Sequence, residues 1–179
     1  MDYLERFTIP IKGMNIGVHE YQFNIENEFF NHFEDSLIKK GEYDVKVLVD
    51  RKERIIILNF EINGTYDSKC DRCLTKISIP SLIDYKVYLK YGVVVNKKEL
   101  DDVVYINEED SSFNLSDIIH QMIILSLPMS NTYDCENDPN PKCDFEMLDY
   151  LENQNIIEEN EKDTINPIWE QLKKDFNKN

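Results

Sequence analysis

The clearest pattern in the chain is a strict alternation over residues 43–49. Tyr43, Val45, Val47 and Val49 are apolar, with Asp44 and Lys46 between them. A period of two puts one set of side chains on one face, so this stretch predicts a half-buried β-strand. The polar Arg51-Lys52-Glu53-Arg54 then predicts a turn, and Ile55 to Tyr66 a second long strand, so the pair reads as a hairpin. Asn63-Gly64 within the second strand predicts a bulge or bend. Upstream, residues 6–12 predict a short strand and Tyr21, Phe23 and Ile25 another. Between them and the hairpin, Phe29, Phe30 and Phe33 are spaced as on a short amphipathic helix. Downstream, Ile77 and Ile79, then Tyr85, Val87, Leu89 and Tyr91, predict a strand in which Pro80 marks a break or an edge position. Residues 102–106 predict a further short strand.

The period changes after residue 107. Leu115, Ile118, Ile119, Met122, Ile123 and Leu125 recur as on a helix, with Asn114 or Ser116 as its cap and Leu127-Pro128 as its stop. Residues 129–143 are a polar loop rich in Asn, Asp and Pro. Two acidic helical stretches follow, around 144–153 and 166–176, the second opened by Asn166-Pro167. The low hydrophobicity of 154–165 predicts a flexible linker. The fold class expected is therefore α+β, a mainly antiparallel β-sheet in the N-terminal two-thirds and a helical, acidic C-terminal third. The expected division is a sheet domain with a closing helix over 1–127. The cysteine-bearing loop, acidic linker and short C-terminal helices then occupy 128–179.

Charge narrows the function classes. The 179 residues carry a formal net charge of −15, of which residues 128–179, with 13 acidic and 5 basic side chains, hold −8. Nucleic-acid affinity rests largely on phosphate neutralisation by Lys and Arg, so a chain this acidic fits a basic protein partner better than a polyanion. Direct RNA contact would need local patches such as Arg51, Lys52 and Arg54, or Lys86, Lys90, Lys97 and Lys98. No window approaches the roughly 18 apolar residues of a membrane span, and Met1 to Arg6 lack the basic start and apolar run of a signal peptide. No membrane partner and a cytoplasmic location are the resulting expectations.

In a reducing compartment the four cysteines read first as ligands or plain thiols. Cys70-Asp71-Arg72-Cys73 lies between two predicted strands, where thiolates three apart at a tight turn can face one ion, as in a zinc knuckle. Redox chemistry would need a helix N-terminus at the first cysteine, and Leu74 to Ile79 read as a strand instead. Cys135 and Cys143 offer a second pair in the polar loop, so the candidate metal ligands are Cys70, Cys73, Cys135 and Cys143, with structural zinc as the cofactor. Unmetalled thiols are the alternative. His19, His32 and His120 have no metal-like spacing or nucleophile beside them and read as structural. Asp101, Asp102 and Glu108 could serve a metal-dependent hydrolase or nuclease, but charge runs of this kind usually form solvated turns. No phosphate-binding glycine loop, nucleophile elbow or zinc-protease motif is present, and no catalytic residue is assigned. Trp169, on the last predicted helix, is a candidate to dock on the domain or on a partner.

Four stretches, in order, resemble the YceD-type large ribosomal RNA subunit accumulation proteins. Cys70-Asp71-Arg72-Cys73-Leu74 is similar to the family's C-x-R-C-L motif, and Asp117-Ile118-Ile119 to Leu125-Ser126-Leu127-Pro128 to its D-[LI]-[IL]…[LI]-x-L-P signature. The cysteine-bearing loop follows that proline, and Asn166 to Lys174 resembles the terminal D-P-R-[FW]-x-x-L-x-x-L. Many members carry a compact run of four cysteines in the loop, where this chain has Cys135 and Cys143, so it looks like a divergent branch. The resemblance implies a non-enzymatic factor for accumulation or assembly of large-subunit (23S) ribosomal RNA. The family is typically encoded beside a zinc-ribbon ribosomal protein, which implies a ribosomal protein or pre-50S particle as partner. A zinc-stabilised adaptor unrelated to ribosomes is the competing reading.

Overall fold

The computed structural model describes residues 3–92, 102–134, 138–139 and 141–151. The chain divides into two compact units, one formed by Met1–Lys69 with Lys76–Asn131, the other by Cys70–Thr75 with Thr132–Asn179. The cysteine turn thus groups with the later residues.

In the first unit a short 3-10 helix (Tyr3–Phe7) leads into β1 (Thr8–Pro10). Then come β2 (Gly17–Ile25), α1 (Asn27–Asn31), β3 (Gly41–Arg51) and β4 (Ile55–Lys69). The unit ends with β5 (Lys76–Tyr91), β6 (Val103–Ile106), β7 (Ser112–Asn114) and α2 (Ser116–Leu125). Five strands form one sheet in the order β2-β3-β4-β5-β6, while β1 pairs with β7 in a separate ribbon. Among the described residues all pairings are antiparallel except β5 with β6, which is parallel. The mainly antiparallel sheet expected from the alternation is present.

The hairpin reading holds in register: Val45 faces Ile62, Val47 faces Phe60 and Val49 faces Leu58, all six buried. Burying side chains of this size is worth about 1.5–3 kcal/mol each, so this ladder sets the core face of the sheet. Ile83, Val87 and Leu89 of β5 extend the same face. Phe29 and Phe30 of α1, Phe7, Ile9, and Leu115, Ile119 and Ile123 at α2 join it in one apolar cluster. A one-residue slip would turn the whole set to water, which is why the pattern specifies the pairing so strongly.

Two local expectations are corrected, and a third is decided between its alternatives. The register runs through Asn63 and Gly64 without an extra residue, so there is no bulge; Gly64 sits directly opposite Tyr43. Of the two readings of Pro80 the edge position is the one that holds: it pairs with Thr65 in an unbroken strand, and among the described residues no strand pairs with it on its other side. Tyr88 donates its backbone N–H to the Asp102 carbonyl on the β6 side (2.9 Å). With a period of two, position 80 turns its backbone nitrogen to that same outer side, where a proline removes no ladder bond. Residues 6–12, read as one strand, divide between the 3-10 helix and three-residue β1.

α2 starts where Asn114 predicts. The Asn114 Oδ1 accepts the Ser116 N–H (2.8 Å) while its Nδ2 donates to the Leu4 carbonyl (2.8 Å), so one side chain serves an orphan amide and ties the helix to the first turn of the chain. The helix ends at Ser126, whose N–H bonds to the Met122 and Ile123 carbonyls, two residues before Pro128. Among the described residues no helix is long and apolar enough to cross a membrane.

Candidate metal centre

The second unit is described through Cys70–Thr75 and parts of residues 132–151. Between β4 and β5 the chain turns back within six residues. The Cys70 N–H donates to the Thr75 carbonyl and the Leu74 N–H to the Cys70 carbonyl, both at 2.8 Å. Leu74 takes a φ of 58°, in the left-handed region that an L side chain enters at a cost of roughly 1–2 kcal/mol. This geometry turns both sulfurs inward: Cys70 and Cys73 are free thiols and both buried. Neither stands at a helix N-terminus, as the sequence pattern anticipates.

Burial pushes the Cys73 thiol up. Hydrogen bonds from the Thr75 hydroxyl, from the backbone amides of Thr75 and Asp144, and from the Cys70 thiol outweigh it and bring Cys73 down to about 7. Amides directed at a sulfur stabilise the thiolate, which is the form that binds a metal or attacks an electrophile. Asp144 follows Cys143 directly in sequence, so its amide brings the cysteine-bearing loop against the turn. Its position is fixed from the other side too. The Asp144 Oδ1 accepts the Met147 N–H (3.2 Å), and its carbonyl accepts the Leu148 N–H (3.2 Å), capping the helical residues 145–151. That stretch covers most of the helix expected over 144–153.

The four expected ligands are not all in the same state. Cys70 and Cys73 are together and unbonded, whereas Cys143 is disulfide-bonded and in that state offers no thiolate. Cys135 lies outside the described residues. Among the described residues no group of three His, Cys, Asp or Glu side chains stands in metal-holding geometry. The donor set that is described, two buried thiols with amides aimed at one of them, suits half of a four-cysteine site. Thr75 and Asp144 were not legible as sulfur partners in the sequence; the one available signal is their place directly beyond each cysteine segment.

The remaining candidate residues are placed as follows. His19 Nε2 bonds the Asn15 carbonyl (2.9 Å), His32 stacks on Tyr3, and His120 stacks on Phe33 with ring centroids 3.9 Å apart. Asp102 accepts a hydrogen bond from the Tyr85 hydroxyl, and Asp110 accepts the Asn107 N–H in the turn that carries Glu108. Arg51 and Arg54 line a cleft of about 470 Å³ with Lys12 and Tyr91, but Glu53, Glu108 and Asp110 line it too, leaving no net positive charge. Asp101, Lys97, Lys98, Trp169, the linker 154–165 and the helix expected over 166–176 lie outside the described residues.

A family model described as "Large ribosomal RNA subunit accumulation protein YceD" matches residues 58–174. No curated protein and no solved structure matches the chain.

Proposed function

The chain belongs to the family of YceD large ribosomal RNA subunit accumulation proteins, and from that premise we propose that it supports accumulation or assembly of 23S ribosomal RNA without catalysing a reaction. It does so by binding a ribosomal protein or a pre-50S particle in the cytoplasm. The observation that carries this reading is the extent of the family match, which runs from β4 through the cysteine turn and α2 to the Asn166–Lys174 segment. Charge supports the choice of partner. At −15 the chain repels phosphate at long range and attracts a basic ribosomal protein, and the arginine-bearing cleft is balanced by carboxylates. The test is cosedimentation of the tagged full chain with pre-50S particles, together with 23S ribosomal RNA levels in a deletion strain. Enrichment on the precursors and a loss of 23S on deletion are expected; consistent absence from every precursor fraction would sink the reading.

We further propose that Cys70, Cys73, Cys135 and Cys143 hold a structural zinc ion when all four are reduced. The buried thiols of the turn, the low Cys73 thiol and the Asp144 amide beside it support this. Bound there, zinc would supply cross-linking and no chemistry, joining the turn to the cysteine-bearing loop. Protein purified under reducing conditions without added metal should contain near-stoichiometric zinc that a Cys70→Ser variant lacks. A reduced, folded, metal-free protein refutes the site.

A further inference from the structure

β2 is an end strand of the five-stranded sheet, and the direction of its backbone groups follows from the β3–β4 turn. The Lys52 N–H donates to the Ile55 carbonyl across that turn (2.9 Å), and the Asp67 N–H to the Lys40 carbonyl at the other end (2.9 Å). Antiparallel bonding alternates, so the even-numbered residues of β3 bond to β4 and the odd-numbered ones, Tyr43 to Arg51, bond to β2. Their partners are Gly17, His19, Tyr21, Phe23 and Ile25. Val18, Glu20, Gln22 and Asn24 therefore turn their N–H and C=O groups away from the sheet. The Arg6 guanidinium meets the Asn24 carbonyl on that side (3.1 Å) and closes that end of the edge. Among the described residues no strand pairs with the rest. The chain leading into and out of β2 is described from residue 3 to residue 92. Residues 93–101 join β5 to β6 on the opposite side of the sheet. At about 4.8 Å per strand and 3.4 Å per residue, they are too few to cross to β2, pair with it and return.

Exposed edges are usually guarded by lysines, prolines or bulges. β2 has none of these: its nine residues run in unbroken register with β3, Val18 is 67% exposed, and Glu20 is bridged to Lys46 (3.5 Å). Charge selects the occupant. β2, the β3 residues paired with it and Arg6 carry three acidic side chains (Glu20, Asp44, Asp50) and three basic ones (Arg6, Lys46, Arg51), a net of zero. Adding Glu26, Glu42 and Lys52 beyond the ends leaves −1, on a chain of −15. Neither a strongly cationic nor an anionic segment gains from such an edge. A second copy meets little of its own repulsion there, because screening over about 8 Å removes the distant charge at physiological salt. The strand also complements itself. Laid antiparallel about Tyr21, the ring faces its own copy, Val18 faces Asn24, and Glu20 faces Gln22 with no like charges opposed. Within one copy the Gln22 amide already donates to the Glu20 carboxylate (2.8 Å). We infer that two copies of this chain pair along β2, antiparallel and two-fold about Tyr21, joining their sheets into one. The inference goes beyond the ribosomal reading and does not rest on it.

The experiment follows the full chain, kept reduced, through a dilution series by sedimentation equilibrium and amide hydrogen exchange. A reversible dimer is expected, with protection at the Val18, Glu20 and Gln22 amides that rises with concentration. Gln22→Glu places a carboxylate opposite Glu20 of the other copy, twice over, and should weaken the dimer at least tenfold. Gln22→Lys places an ammonium there and should tighten it. Gln22→Pro removes one outward N–H and no bond to β3, and should abolish the dimer while the chain stays folded. Should that variant not fold, the two charge variants at the same exposed position decide. Equal dissociation constants for Gln22→Glu and Gln22→Lys would overturn the inference. So would protection of the three amides that is the same at every dilution, since another part of the chain would then fill the edge. A chain that stays monomeric at about 1 mM overturns it as well, whether or not an added strand peptide protects those amides.

Discussion

The Tyr43 ring on β3 occupies the space above Gly64, its cross-strand partner on β4. A Cβ placed on Gly64 would come within 2.5 Å of the ring Cδ1 and inside contact distance of the Glu42 carbonyl. Neither neighbour can yield cheaply, one being backbone and the other a buried ring. Glycine stands mid-strand here because of close approach rather than for conformational freedom. Overpacking of this kind costs about 1–3 kcal/mol. Gly64→Ala should therefore destabilise the protein by that amount in urea unfolding, with a lower midpoint and an unchanged slope.

The Tyr43 hydroxyl lies buried, with the Ser81 hydroxyl near it but no well-formed hydrogen bond between them. Burial drives its pKa up to about 12, with the nearby Ser81 hydroxyl offsetting part of the rise. The folded value lies above the ordinary 10, so the contribution is fully present below pH 10 and is lost as pH climbs through 12. Removing a buried hydroxyl that makes no well-formed hydrogen bond is close to neutral or stabilising. Tyr43→Phe should leave stability at pH 7 unchanged or slightly higher and flatten the decline of stability between pH 10 and 12, read by denaturant midpoints across that range.

How much of this was legible depends on range along the chain. The β3–β4 hairpin could be read directly, because the alternation of Tyr43 to Val49 against Ile56 to Ile62 is local and one face is buried. Gly64 was misread as a bulge because a sequence does not say which ring lies across the ladder. β7 escaped notice since three residues carry no period, and β6 lay parallel because that depends on how the chain crosses from β5. Within the candidate metal centre, the Cys70–Cys73 turn followed from spacing. The approach of the Asp144 amide to Cys73, from a segment far along the chain, is a tertiary fact that no local pattern encodes.

His120 gives a prediction at the acid side. Its ring stacks on Phe33 and tilts against Phe29, and its Nε2 is buried without a partner. Burial holds its pKa below the ordinary 6.5, with Asp117 opposing part of that shift. The neutral form is the one the fold accommodates, so the stabilisation is full above pH 6.5 and erodes as pH falls towards the lower folded value. A His120→Gln variant should start from a lower stability at pH 7, having lost the stack, and should lose less on going from pH 7 to pH 5 than the parent. Parallel slopes for the two proteins would contradict the assignment.

Leu74 offers a test of strain at the cysteine turn. Its φ of 58° is one that asparagine adopts with less penalty, and its side chain is largely exposed, so little packing is lost on replacement. Glycine would relieve the same strain but would add freedom to the unfolded chain, returning about 0.5–1 kcal/mol. Leu74→Asn should therefore stabilise the protein by up to about 1 kcal/mol, and Leu74→Gly by less, as measured by thermal unfolding of the reduced chain. Because the turn already holds Cys70 and Cys73 in place through the Cys70–Thr75 and Leu74–Cys70 backbone bonds, neither variant should make those buried thiols react faster with a thiol reagent in the folded chain. A loss of stability in Leu74→Asn would mean that the exposed leucine makes a contact worth more than the strain it sustains, which would shift its role in the turn from conformation to packing.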